Sequence, residues 1–136
     1  MLKILYKTAI YTYSCVQNND IFSGQVATFN SNREVRVCDS KSIPVGFFIT
    51  DLDETCRLPT GVNYRFSVAI GQSELATDIF EPSEYRINDF LYCSDNGKIT
   101  NEKKYRGNII IGIVNSVAPE EIGFITMFAR GLENPI

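Results

Sequence analysis

Apolar and polar residues alternate with a period of two along most of this chain, and the 3.6-residue spacing of an amphipathic helix is scarce. That pattern predicts strands throughout. Ile4-Leu5-Tyr6 and Ala9-Ile10-Tyr11-Thr12-Tyr13 read as extended and aromatic-rich, and the polar run Gln17-Asn18-Asn19-Asp20 sets them apart from the body of the chain. Gly24 to Phe29 and Glu34 to Cys38 form two short strands around Asn30-Ser31-Asn32. A turn at Asp39-Ser40-Lys41-Ser42 leads to a third strand, Val45 to Thr50. Tyr64 to Ile70 alternates cleanly and stops at Gly71. Leu75 to Phe80 reads as strand rather than as a helical turn capped by Ser73, because Pro82 blocks continuation. Phe90 to Cys93 and Lys98 to Asn101 flank Asp95-Asn96-Gly97, a hairpin turn whose Asn and Gly accept positive φ. Ile109 to Val117 and Ile122 to Ala129 close the chain as two hydrophobic strands joined at Ala118-Pro119-Glu120-Glu121.

Two halves of the chain look alike. Gly24-Gln25-Val26 precedes Pro44-Val45-Gly46-Phe47-Phe48, and Asp89-Phe90-Leu91 precedes Ile110-Ile111-Gly112-Ile113-Val114. Each half then reaches a further strand, Phe66 to Gly71 and Phe124 to Gly131. A glycine inside an apolar strand permits a bend, a bulge or close approach of a neighbour. Matching glycines therefore favour a pseudo-duplicated body, although such placement also arises by chance. The expected fold is mostly β, a compact antiparallel β-barrel or β-sandwich with an extended N-terminal arm over residues 1–20 and a single β domain over residues 21–136.

Composition agrees with a globular chain: 136 residues, 44% hydrophobic and 21% charged, with 9 Phe and 7 Tyr but no Trp. A domain of this length folds without metal or disulfides. Thirteen basic against sixteen acidic residues leave a net charge of −3, so there is no basic surplus for nucleic acid or for an acidic membrane surface. No apolar run is long enough for a membrane span or a signal peptide. Cys15, Cys38, Cys56 and Cys93 form no CxxC pair and read as free, buried thiols made in a reducing cytoplasm.

Candidate chemistry is sparse. With no histidine, the Ser-His-Asp and Cys-His arrangements and His-ligated zinc sites are excluded. The acidic loop Asp51-Leu52-Asp53-Glu54 lacks the spacing and central glycine of an EF-hand and reads as a solvated turn. Carboxylate pairs such as Asp51 with Asp53, or Glu81 with Glu84, have no sequence feature that sets a glycosidase separation. Phe47, Phe48, Phe66, Phe124 and Phe128 read as core. No catalytic residue, cofactor or metal is expected, and the chain reads as a binding or assembly protein rather than an enzyme.

The stretches "GQVATF", "IPVGFFITD", "INDFLYCSDNGKIT" and "IIIGIVNSV" resemble the capsid decoration, or cement, proteins of tailed bacteriophages. The resemblance spans about residues 20–130 and rests on Asn88-Asp89-Phe90-Leu91-Tyr92, Gly97-Lys98-Ile99-Thr100 and Ile111-Gly112-Ile113-Val114. It implies a non-enzymatic virion structural protein, made in the host cytoplasm, that sits on the capsid exterior, binds the major capsid protein and self-associates, often as a trimer. On this reading two groups of residues face the capsid or a neighbouring subunit. Ile4, Tyr6, Ile10, Tyr11 and Tyr13 either add a strand to a partner or form an ordinary first strand of the domain. Lys98, Lys103, Lys104 and Arg106 either steer docking onto an acidic surface or form a solvated hairpin edge. The rival reading is a β-sandwich module that binds carbohydrate or a receptor, as in a tail or fibre component.

Overall fold

Val, Ile, Phe and Tyr on alternating positions suit a pleated surface with one face in the core, and among the described residues they build strands and no helix. The computed structural model describes residues 2–5, 9–15, 21–49, 56–57, 64–70, 73–104 and 108–126. In chain order the strands are β1 (Leu2–Ile4), β2 (Ala9–Cys15), β3 (Val26–Phe29), β4 (Val35–Val37), β5 (Gly46–Phe48), β6 (Cys56–Arg57), β7 (Tyr64–Ile70), β8 (Glu74–Thr77), β9 (Phe90–Cys93), β10 (Ile99–Thr100), β11 (Gly112–Ala118) and β12 (Glu121–Thr126). They form two antiparallel sheets. The first runs β1-β8-β12-β11-β9-β10, and the second runs β2-β7-β5-β3-β4 with β6 also paired to β7. The second sheet curls, so that the Tyr13 ring on its first strand meets Phe29 of β3 edge-on at 4.9 Å. The expected antiparallel barrel or sandwich is thus what the chain adopts.

The start of the chain is extended and pairs within the molecule. β1 lies on β8 from Leu2↔Thr77 to Ile4↔Leu75, and β2 lies on β7 from Ala9↔Ile70 to Cys15↔Tyr64. Both sets of pairs keep one register, with no residue gained or lost between the two sheets. Both strands are edge strands.

The repeat is real at the level of the backbone, but its register differs from the one expected. Ala27 pairs with Gly46 and Val26 with Phe47; Leu91 pairs with Gly112 and Phe90 with Ile113. Gly24-Gln25-Val26 therefore matches Asn88-Asp89-Phe90, one residue earlier than the likeness in sequence placed it. A one-residue slip exchanges the two faces of a strand, so only this register puts the equivalent residues into equivalent cores. Phe66 likewise matches Ile122 rather than Phe124, because Val68 opposes Phe48 as Phe124 opposes Val114.

Hydrogen bonds repeat with the same atoms. Gly24 N–H donates to Phe48 O and Asn88 N–H to Val114 O, both at 2.8 Å; Phe48 N–H donates to Gln25 O and Val114 N–H to Asp89 O, both at 2.9 Å. Gln25 Oε1 accepts from Phe22 N–H as Asp89 Oδ2 accepts from Arg86 N–H. The hairpin loops match too: Asn30 N–H bonds Glu34 O and Arg33 N–H bonds Asn30 O, while Ser94 N–H bonds Lys98 O and Gly97 N–H bonds Ser94 O. The left-handed position is held by Arg33 (φ 61°) in one loop and by Gly97 (φ 72°) in the other. Positive φ thus falls on Gly97 and not on Asn96, as in a three-residue hairpin loop ending in a left-handed residue.

Each repeat has its own core. Ile21, Ala27, Val35, Val45, Phe48, Phe66 and Val68 fill one, and their equivalents Tyr85, Leu91, Ile99, Ile111, Val114, Ile122 and Phe124 belong to the other. The second core is larger because it also receives Val26, Phe47 and Ala69 from the outer face of the first repeat. Phe47 and Phe48 thus point to opposite sides of β5. Phe47 meets Phe124 at 5.2 Å and Phe48 meets Phe66 at 5.4 Å. The strand expected from Ile109 begins only at Gly112, and Ile111 is tied in by its N–H to Leu91 O at 2.8 Å.

Gly46 and Gly112 are required by close approach. A Cβ on Gly46 would collide with Ala69 O and lie 2.6 Å from Val68 Cγ1; one on Gly112 would lie 2.9 Å from Ile125 O, the equivalent carbonyl. Gly46→Ala and Gly112→Ala should each lower stability by about 1–3 kcal/mol, with Gly46→Ala the larger loss, read as a shift in the urea midpoint. Tyr85, whose O–H donates to Glu81 O at 2.6 Å, has its pKa pushed up to about 12, first by burial and then by the Glu81 charge. The folded state therefore favours the neutral phenol. That stabilisation is complete below the ordinary tyrosine value of 10.0 and is lost as pH rises through about 12. Chemical denaturation across this alkaline range should show a fall in stability that Tyr85→Phe makes shallower; equal slopes for the two proteins would refute it.

Candidate docking surface

The outer face of the first sheet carries a row of apolar side chains where a half-solvated sheet would normally place polar ones. Phe90 on β9 pairs with Ile113 on β11, and Ile113 pairs with Ile125 on β12. Ile125 pairs in turn with Glu74 of β8, whose carbonyl accepts the N–H of Leu5 at 2.9 Å. Phe90 is 46% exposed, Ile125 43%, Leu5 54% and the neighbouring Ile87 53%. Ile87, Asn88, Ile113, Asn115 and Ile125 line a shallow depression of about 430 Å³ in this face. Its margin is polar. Asn115 Nδ2 donates to Glu74 Oε1 at 3.2 Å, and Lys3 on β1 meets Glu121 of β12 at 2.7 Å. The Glu121 carboxylate accepts from the Lys3 ammonium and holds its pKa above the usual lysine value.

The internal repeat explains what such a face does. Phe90, Ile113 and Ile125 are the equivalents of Val26, Phe47 and Ala69. In the first repeat those three are buried against the core of the second repeat, with Val26 and Phe47 fully inaccessible. The second repeat leaves the same strand positions, also apolar, on the outside, with Phe90 and Ile125 exposed and Ile113 half-buried.

Of the residues expected at an interface, Ile4 lies on β1, 39% exposed, at the edge of the first sheet. Ile10 and Tyr11 on β2 are each 53% exposed, at the edge of the second sheet, and Tyr13 is half-buried between Tyr11 and Phe29. The fold therefore divides this group between two sheet edges. Tyr6 and Arg106, with the acidic loop Asp51-Leu52-Asp53-Glu54 and Phe128, lie outside the described residues.

The lysines do not stand as a basic patch. Lys98 is half-buried in the β9–β10 hairpin, and Lys103 and Lys104 are exposed just after β10. Lys104 Nζ lies 3.7 Å from Asp95 Oδ2, beside a polar notch of about 270 Å³ that Glu81, Asp95 and Glu102 also line. Asp95 is held below the usual carboxylate range, chiefly by the Ser40 hydroxyl and N–H that donate to it, and to a lesser degree by Lys104. Acid and base alternate at this end of the molecule. Among the described residues no three His, Cys, Asp or Glu side chains are grouped to hold a metal ion.

Sequence reasoning missed the row formed by Leu5, Ile87, Phe90, Ile113 and Ile125. The signal was the unbroken apolar run Ile109-Ile110-Ile111-Gly112-Ile113-Val114. An uninterrupted apolar strand has two hydrophobic faces, and in β11 only one of them lies over a core, whereas in β5 both do. Comparison with protein-family models, curated proteins and solved structures finds no match to this chain.

Proposed function

We propose that this protein is a non-enzymatic assembly protein that binds another protein through the outer face of its first sheet. The observation that carries this reading is the apolar row of exposed Phe90 and Ile125 with half-buried Ile113 between them, equivalent to side chains that the first repeat already buries. Exposed apolar surface rimmed by polar groups marks protein contact sites. Here the rim is formed by Lys3, Asn115 and Glu121, and Glu74 stands between Ile125 and Leu5. Two edge strands, β1 and β2, flank the body, and Ile10 and Tyr11 offer further exposed apolar area on the second.

Taken with the resemblance of the "INDFLYCSDNGKIT" and "IIIGIVNSV" stretches to decoration proteins, the partner we propose is the major capsid protein of a tailed phage, bound on the outside of the shell. Apolar area buried at each copy stabilises the lattice, and many modest contacts on one shell reinforce each other. Self-association at symmetry axes belongs to the same proposal. An interface of this kind typically buries ~1,600 Å² in total.

The experiment is to add the purified protein to purified heads and measure sedimentation together with shell survival on heating. Binding and a raised disruption temperature are expected. Phe90→Asp and Ile125→Asp, both on exposed positions, should keep the cooperative thermal unfolding of the free protein yet weaken head binding by roughly 10- to 100-fold. Failure of the unsubstituted protein to bind heads, or binding that both aspartate variants retain in full, overturns the proposal. Specific capture on a glycan array without head binding would favour the carbohydrate-binding alternative.

A further inference from the structure

The two sheets are joined on one side by the paired strands β1, β2, β7 and β8, which share a single register. On the other side, where β4 and β10 are the edge strands, they meet along a seam tied by hydrogen bonds. Val26 N–H donates to Gly97 O at 2.7 Å and Gln25 Nε2 to Asn96 O at 3.2 Å. Ser40 N–H donates to Asp95 Oδ1 at 3.3 Å, the Ser40 hydroxyl bonds the same oxygen, and Asn108 Nδ2 donates to Ser40 O at 2.7 Å. These contacts pin the start of β3 and the segment after β4 against the β9–β10 loop, with Asn108 tied to Ser40 as well. Cys38 follows β4 and Cys93 ends β9, so the seam brings the two thiols together. Both are free and buried in the same core. Each Sγ also lies near the carbonyl that follows it, Cys38 at 3.2 Å from Asp39 O and Cys93 at 3.1 Å from Ser94 O.

We infer that Cys38 and Cys93 are a disulfide-forming pair whose oxidation by a low-molecular-weight disulfide locks the open side of the molecule. The chemistry balances as two thiol–disulfide exchanges. One thiolate, at Cys38, attacks a sulfur of the small disulfide, forming a mixed disulfide and releasing one small thiol. Cys93 then loses its proton and attacks Cys38 Sγ, forming the Cys38–Cys93 bond and expelling the second small thiol. The protein gives up two protons and two electrons, and the oxidant becomes two thiols.

The surroundings set the rate and the direction. Hydrogen bonding to Cys38 and burial both push the Cys93 thiol up, far from its ordinary range, so it stays protonated while the seam is closed. The thiolate is the attacking species, so reaction proceeds through transient opening of the seam and is slow. Once formed, the bond closes a long loop of the chain between residues 38 and 93, the situation in which a cross-link restricts the unfolded state most. The bond would tie the second sheet to the first opposite their shared ribbon, and leave the outer face of the first sheet untouched. The inference therefore stands or falls apart from the docking proposal.

The full-length protein is incubated, folded, with oxidised glutathione, then alkylated in denaturant and mapped by mass spectrometry. The expected product is a Cys38–Cys93 linked peptide, with the chain lighter by two hydrogens. Its thermal midpoint should rise by roughly 5–10 °C over the reduced protein and return on treatment with dithiothreitol. Cys15→Ser should keep the link and Cys93→Ser should abolish the rise. Because the mapping is done on the unsubstituted chain, it does not depend on any variant folding. Recovery of Cys38 and Cys93 as alkylated thiols after prolonged oxidation, linkage of either to a different cysteine, or a linked protein no more heat-stable than the reduced one overturns the inference.

Discussion

The structure depends on one strand having two buried faces. β5 is three residues long, and all three are buried. Phe47 leaves it toward Phe124 and the core of the second repeat, and Phe48 leaves it toward Phe66 and the core of the first. Each fully buried aromatic of this kind contributes several kcal/mol, and truncation to alanine typically costs ~3–5 kcal/mol. Because the two rings share one short backbone segment, neither core can loosen without moving the other. Gly46 sets the height of that segment. Without a Cβ, β5 sits close enough to β7 that an added methyl would strike the Ala69 carbonyl.

The same arrangement, repeated, gives the molecule its asymmetry. Backbone hydrogen bonds, hairpin loops and core positions recur between the two halves although few side chains are shared. Ile21 stands where Tyr85 does, Ala27 where Leu91 does, and Arg33 where Gly97 does. What is preserved is the face each residue occupies and the backbone groups it satisfies, since a buried peptide group without a partner costs as much as a lost hydrogen bond. Stacking the outer face of one repeat on the core of the other covers three apolar positions in the first half and leaves their equivalents uncovered in the second. An apolar outer face on the first sheet is thus a consequence of stacking two like units once.

Electrostatics plays a local part. Ion pairs such as Lys3–Glu121 and Lys104–Asp95 are surface pairs, and such pairs contribute little to stability. Their role is positional: Lys3 and Glu121 mark the rim of the apolar row, and Asp95 fastens the seam through Ser40. Around Lys104 the charge is mixed, with Asp95 at 3.7 Å and Glu81 and Glu102 lining the same notch.

Much of the architecture was legible in the chain itself. Period-two alternation placed most strands of both sheets, because side chains of a strand take opposite sides in turn, while β6 went unseen and β1 lies two residues earlier than expected. Asp95-Asn96-Gly97 marked its hairpin, and Gly46 and Gly112 marked two equivalent close approaches. The loop around Asn30-Ser31-Asn32 was legible between its two strands as well, but its equivalence to the Asp95-Asn96-Gly97 turn was not, because an arginine occupies the left-handed position and carries no turn signature. The repeat was visible but out of register by one residue, since glycine spacing fixes where a strand bends and not which face each neighbour takes. Pairing alone fixes that, through hydrogen bonds between residues far apart in the chain. The same holds for the surface. An apolar run states that both faces of a strand are hydrophobic, but only the stacking of the two sheets decides which face meets a core and which meets solvent. Likewise, the sequence supplies buried cysteines, while only the seam between the sheets makes neighbours of Cys38 and Cys93.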